Sequence, residues 1–337
     1  MGRCPDARSE ISAGWGTAAA FSSVGTDMIP PLTLPSPVDA FVSVPARFPD
    51  PALAVVTIGG LKLLVDSGCP QTLVREDRIG RDGTISLPGS AFRLRPLRLK
   101  PAELERPSRL LGADGILGND ALGRLSLLLD YRNGRVYMRG ARGASLSNAL
   151  EDAGLDADAP TVAVPIERDR EGWYRTEAVP GDDGKGGAVW DTGATSYAIG
   201  RERDELGPPL GFVDVQAFLS DSRRPIHLTR LDLPGAEPIA MLGFRLMERR
   251  EPATIGPYAL SREWSYLDEA RGVAIVPRPD PDVAARRAVA TLLGIEELPR
   301  RVNRATGDAV DALAVIGGDG GLDRARRAAR RLVQNRN

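Results

Sequence analysis

The chain has 337 residues, 42% of them apolar and 26% charged, which is the balance of a water-soluble globular protein with room for two domains of about 100–150 residues each. Lys plus Arg total 44 and Asp plus Glu 45, so the net charge is −1 and nothing in it argues for a nucleic-acid partner or an acidic membrane surface. Two cysteines and one histidine are too few for a disulfide framework or a zinc site, and no apolar run approaches the ~18 residues of a membrane span.

Residues 1–35 are rich in Gly, Ser, Ala and Pro and show no periodicity, so they read as a lead without a core of its own. The apolar run Ala18–Val24 is short and broken by Ser22 and Ser23, which makes a secretory signal unexpected and the cytoplasm the expected location. Residues 38–48 alternate as a strand. Ala54–Ile58 and Leu61–Val65 read as a hairpin across Gly59-Gly60. Residues 80–112 carry Pro88-Gly89 and the alternation Phe92-Arg93-Leu94-Arg95, and they predict further hairpins with the arginines on a solvated face. Asn119–Arg124 predicts a short helix. Leu125–Leu129 and Arg135–Met138 predict a hairpin closed by Asn133-Gly134 as a type I′ turn.

Residues 140–160 are rich in Gly, Ala, Ser, Asp and Pro and read as a linker. Trp173–Val179 predicts a strand, Gly181–Gly187 a polar loop, and Ala188–Trp190 another strand. Strands are also predicted at Phe212–Leu219 and Ile226–Leu231. Beyond Pro277 the strand pattern stops. Leu322, Ala325, Ala328, Ala329, Leu332 and Val333 recur at helical spacing opposite Arg324, Arg327, Arg330 and Arg331, an amphipathic helix read as packing on the domains.

Two stretches stand out. Leu63-Leu64-Val65-Asp66-Ser67-Gly68 and Ala188-Val189-Trp190-Asp191-Thr192-Gly193 are each an apolar run ending in an acid, a hydroxyl residue and glycine. Chance predicts about 0.1 such tripeptides in a chain of this length. The segments downstream of the two copies also match. Gly118 falls on Gly256, Leu122 on Leu260, Asp130 on Asp268 and Gly134 on Gly272, a constant offset of 138. Asp66 falls on Asp191 at an offset of 125, so the second copy carries its insertions between loop and tail. Upstream, Phe41–Pro45 resembles Thr161–Pro165. A repeat unit of this length means two similar domains and not a solenoid.

One carboxyl in a turn is an ordinary turn acid. Two brought together across a pseudo-two-fold axis repel when both are ionised, so they share a proton and titrate as a pair. Such a pair activates a water for attack on a carbonyl without metal or covalent intermediate. Other constellations are weaker. Gly181–Gly186 lacks the Gly-Lys-Ser/Thr order of a phosphate loop. Cys69 reads as a small, half-buried loop residue, and His227, among Pro225, Ile226 and Leu228, as structural or surface.

Val65-Asp66-Ser67-Gly68-Cys69-Pro70-Gln71-Thr72-Leu73-Val74, with Ile116-Leu117-Gly118 some fifty residues later, resembles the active-site segments of aspartic peptidases of the pepsin and retropepsin clan. Asp191-Thr192-Gly193-Ala194 and Thr254-Ile255-Gly256 repeat the likeness, which spans roughly residues 38–278 and is nearest to bacterial retropepsin-like domains, here two fused in one chain. The resemblance implies a mainly β fold of two pseudo-symmetric acid-protease lobes. The expected units are a lead over 1–35, lobes over 36–142 and 159–279 joined by a linker over 143–158, and a helical tail over 280–337. It implies an endopeptidase with Asp66 and Asp191 catalytic, Ser67, Gly68, Thr192 and Gly193 fixing the loops, and Gly118 and Gly256 beneath the dyad. It implies a peptide or protein substrate and no cofactor or metal; a monomer is expected, with an oligomer left open. The alternative is an inactive peptide-binding or assembly module on the same fold. Departures from the family pattern are Ser67 in place of the usual Thr, the Cys69-Pro70 pair, and Tyr197 where a small hydroxyl residue is commoner. No Tyr lies between Asp66 and Asp130 to serve as a pepsin-type flap tyrosine, which leaves Pro88-Gly89-Ser90 as the candidate flap.

Overall fold

A computed structural model describes residues 41–281, except 81, 141–144, 177–186, 195–196, 200–210, 217–220, 238 and 246–252, together with 283, 284 and 287. The expected lead, most of the 181–187 loop and the C-terminal helix fall outside the described residues.

The strand expected over 38–48 is divided at Pro45. β1 (Val42–Val44) enters one sheet and β2 (Ala46–Asp50) another, since proline has no N–H to continue a ladder. β3 (Leu53–Ile58) and β4 (Leu61–Val65) pair across Gly59-Gly60, both at positive φ, as the two-residue turn requires. β5 (Leu73–Arg75), β6 (Ile85–Ser86), β7 (Arg93–Leu94) and β8 (Leu97–Leu99) come next, with Arg93, Arg95 and Arg98 exposed and Leu94 and Leu99 buried. Where further hairpins were expected, residues 101–111 are helical: a 3-10 turn and then α1 (Glu105–Leu111). Pro101 suits a first helical position, and the Glu103 carboxylate accepts from Lys100 N–H at 2.7 Å.

β9 (Gly115–Leu117), α2 (Asn119–Leu122), β10 (Leu125–Asp130) and β11 (Arg135–Gly140) complete the first unit. The β10–β11 turn holds four residues and not two, because Asp130 pairs with Arg135. The Asp130 carboxylate accepts from Asn133 N–H and Nδ2, and Gly134 takes the left-handed conformation. The expected linker contains α3 (Leu146–Ala153). Ser145 caps it by accepting from Asn148 N–H, and Leu146, Ala149, Leu150 and Ala153 form its apolar stripe.

The second unit repeats the order: β12 (Thr161–Pro165), β13 (Glu167–Arg168), β14 (Tyr174–Thr176), β15 (Ala188–Trp190), β16 (Tyr197–Ile199), β17 (Gly211–Gln216), β18 (Asp221–Leu231), β19 (Ile239–Arg245), β20 (Thr254–Ile255), α4 (Pro257–Leu260), β21 (Trp264–Asp268) and β22 (Val273–Pro277). The protein is mainly β and has two lobes. One sheet has the order β2-β3-β4-β9-β5-β8, and its counterpart the order β13-β14-β15-β20-β16-β19-β18-β17. A third sheet, β1-β11-β10-β21-β22-β12, is shared.

The offsets found in the sequence recur as strand registers. Leu64 pairs with Ile116 as Val189 pairs with Thr254, and Leu73 with Ile116 as Ala198 with Thr254. Val42 pairs with Met138 as Val162 pairs with Val276. In the shared sheet Leu128 faces Tyr266, its own counterpart in the repeat, so the pseudo-two-fold axis passes through that pair. One face of this sheet joins a core common to both lobes, through Leu127, Leu129, Val136 and Met138. The other, with Leu128, Tyr137, Trp264 and Tyr266, is covered by α3. Burial on both faces explains why β10 is apolar almost throughout.

Candidate active site

Leu63, Leu64 and Val65 are fully buried because β4 lies inside its sheet and pairs in parallel with β9. The chain leaves β4 at Asp66, whose N–H donates to Leu117 O at 3.1 Å. In the second lobe Asp191 N–H donates to Ile255 O at 3.0 Å. Each acid is thus pinned by the strand ending in the apolar-apolar-Gly triplet.

The two loops meet. A Cβ added to Gly68 would lie 2.5 Å from the Asp191 carboxyl carbon, and one added to Gly193 would lie 2.5 Å from that of Asp66. Only glycine permits this approach. Gly68 N–H donates to Asp66 Oδ1 at 2.8 Å, and Gly193 N–H to Asp191 Oδ1 at 2.8 Å. The carboxyls of Asp66 and Asp191 thus lie side by side where the loops meet, close enough for each to feel the other's charge. Burial, followed by the charge of Asp191, holds Asp66 well above the ordinary carboxylate value of 3.8. Loss of solvation also raises Asp191, opposed by the neighbouring Asp66 carboxyl and by the Gly193 N–H. The pair therefore retains a proton to higher pH than a free carboxyl does.

Ser67 and Thr192 are buried where the loops cross. Ser67 Oγ accepts from Thr192 N–H at 2.9 Å and donates to Trp190 O at 2.7 Å. Thr192 Oγ1 accepts from Ser67 N–H at 3.0 Å and donates to Val65 O at 3.1 Å. Gly118 lies against the Gln71 and Cys69 carbonyls, with no space for a side chain. Gly256 is buried at the start of α4.

The candidate flap lies in a hairpin of the first lobe. Pro88-Gly89-Ser90 forms the turn between β6 and β7, and Gly140 N–H, at the end of β11, donates to Gly89 O at 3.0 Å. With two residues per strand this hairpin projects only ~7 Å. Cys69 is fully buried, not half-buried. His227 is buried in β18, opposite Gly243.

Three contributors to the site have no prior signal in the repeat. Asn119, fully buried, donates from Nδ2 to Ser67 O and to Gly172 O, both at 2.8 Å. Thr72 donates from its N–H and hydroxyl to Asp120 Oδ1 and accepts from Gly118 N–H, bracing the loop onto α2. The β13–β14 turn at Gly172 seats on Pro70 of the first lobe. A polar pair directly after the apolar-apolar-Gly triplet was the available hint, but a four-residue helix absorbed it.

No group of three or more His, Cys, Asp or Glu suited to a metal occurs among the described residues, and no helix among them is long and apolar enough to cross a membrane. No family model matches the chain, and no curated protein matches it. Among solved structures, the crystal structure of Basic 7S globulin from soybean is similar, at 11% identity over 72% of this chain and 96% of that chain, with a TM-score of 0.39. A likeness at that level carries nothing about function.

Proposed function

We propose that the chain is an aspartic-type endopeptidase whose dyad is Asp66 and Asp191. The observation that supports it is the close approach of the two carboxyls, each backed by the glycine of the opposite loop. One chain supplies both acids, so no second subunit is needed to complete the pair.

In this reading the dyad holds one proton. The ionised carboxylate takes a proton from a water as the water oxygen attacks the scissile carbonyl carbon. The protonated carboxyl gives its proton to the carbonyl oxygen, forming a gem-diol. In the return step a gem-diol hydroxyl gives its proton to the ionised carboxylate as the C–N bond breaks, the amine nitrogen takes the proton of the other carboxyl, and a carboxylic acid and an amine leave. The dyad ends with the single proton it began with. Ser67 and Thr192 hold the loops so that no reorganisation is needed at the moment of attack.

A second reading is a peptide-binding module without turnover. It is favoured by one observation, the short β6–β7 hairpin anchored on β11 and not on either carboxyl loop. Digestion of a denatured protein or peptide library across about pH 3–7 separates the two: the peptidase cleaves and its Asp→Asn variants do not, whereas the module never cleaves and its peptide affinity ignores those substitutions.

A further inference from the structure

The two lobes obey one repeat, yet the dyad is not symmetric. Asn119 Nδ2 spends both hydrogens on carbonyls, those of Ser67 and Gly172. Two acceptors at one end fix the orientation of the amide, and its Oδ1 is buried with no hydrogen-bond partner. The side chain therefore serves only as a donor. The Ser67 carbonyl belongs to the same planar peptide as the Gly68 N–H. That N–H donates to Asp66 Oδ1 at 2.8 Å. A donor on the carbonyl polarises the peptide and strengthens the N–H at its other end.

Among the described residues no side chain gives the second loop such support. At the 138 offset the counterpart of Asn119 is Pro257, which has neither a side-chain donor nor an N–H. Gly193 N–H donates to Asp191 Oδ1 at 2.8 Å as Gly68 N–H does to Asp66 Oδ1, so the loops differ in what braces the donor's peptide and not in the donor itself.

We infer that Asn119 is a positioning residue for the dyad: acting through the Ser67–Gly68 peptide, it fixes the N–H that donates to Asp66 and so makes the two acids inequivalent. The same amide ties this peptide to the second lobe at Gly172, so the asymmetry depends on the lobes being docked. The inference rests on reading the dyad as catalytic, but its first test does not require turnover.

The test is a carboxyl-carbon NMR titration of the full chain, with signals assigned through Asp66→Asn and Asp191→Asn. It compares the wild type with Asn119→Leu, which is close in shape and has no donor, and with Asn119→Ser. Ser145→Ala serves as a remote destabilised control. Removing the donor weakens the N–H that stabilises the anion, so the first proton should leave at higher pH. The expected rise is about half a unit or more, with the two carboxyls becoming more alike. Ser145→Ala should leave the titration unchanged. In cleavage assays the acid limb of kcat should move the same way, with KM held. Titration curves that superimpose on the wild type in folded Asn119 variants overturn the inference. So does loss of the fold in both variants, which would assign Asn119 to folding alone. A wild type that cleaves nothing removes the peptidase reading, while the titration still decides the role of Asn119.

Discussion

Ser67 and Thr192 exchange hydrogen bonds across the lobe boundary, each hydroxyl accepting from the other's backbone N–H and donating to the carbonyl just before the other's acid. Neither loop satisfies those groups by itself. Ser67→Ala strands a buried N–H and a buried carbonyl, and Thr192→Val does the same in mirror image. Each should cost about 2–4 kcal/mol. Urea unfolding should show a lower midpoint at unchanged slope. A loss below about 0.5 kcal/mol would mean the exchange adds little.

Gly68→Ala should disable the site without unfolding the lobes. Its Cβ would press on the Asp191 carboxyl, and the mirror variant Gly193→Ala on that of Asp66. The expected result is a loss of cleavage of about a hundredfold or more with an unchanged circular dichroism spectrum. Gly154→Ala is the control: its added Cβ meets nothing within 4 Å, so it should cost some stability at a left-handed position and no activity.

The dyad should also be visible in stability. Asp66 sits well above its ordinary carboxylate value in the folded chain, mainly through burial. A carboxyl raised in this way favours the fold while it is protonated. That contribution is complete below the unfolded value near 3.8 and is lost as pH rises through the folded value. Asp66→Asn carries no such charge. Its stability relative to wild type should therefore climb from acid toward neutral pH in paired denaturation curves. A flat difference would mean that the pair carries no buried charge.

Much of this was legible in the sequence. The offsets at Asp66/Asp191 and Gly118/Gly256 reappear as matched strand registers, because a buried strand tolerates no slip. The helices at 101–111 and 146–153 were missed although their caps were in view, at Pro101, Ser145 and Gly154. There, turn-rich composition outweighed the periodicity. Asn119 was not legible, since its role depends on Gly172 arriving from the other lobe. Pro88-Gly89 marked the β6–β7 turn, though turn composition does not carry where the turn points.

One asymmetry lies wholly outside sequence reach. Phe48, Tyr131 and Tyr258 stack on one side of the axis. Their counterparts in the repeat are Arg168, Glu269 and Asp120. Arg168 pairs with Glu269, and Tyr174 O–H donates to Glu269 at 2.6 Å. Tyr174→Phe removes that donor and should cost about 1–3 kcal/mol. Arg168→Met, at a largely solvated pair, should cost less than about 1 kcal/mol. Thermal or urea unfolding of the two variants decides it, and the reverse order would contradict this view of the seam.

The most direct measurement is digestion of a peptide library by the wild-type chain across about pH 3–7, beside Asp66→Asn and Asp191→Asn. Cleavage by the wild type, abolished by either substitution with the fold retained, is the predicted result. Cleavage that survives either substitution would contradict a dyad that shares its proton, as would a wild type inert at every pH.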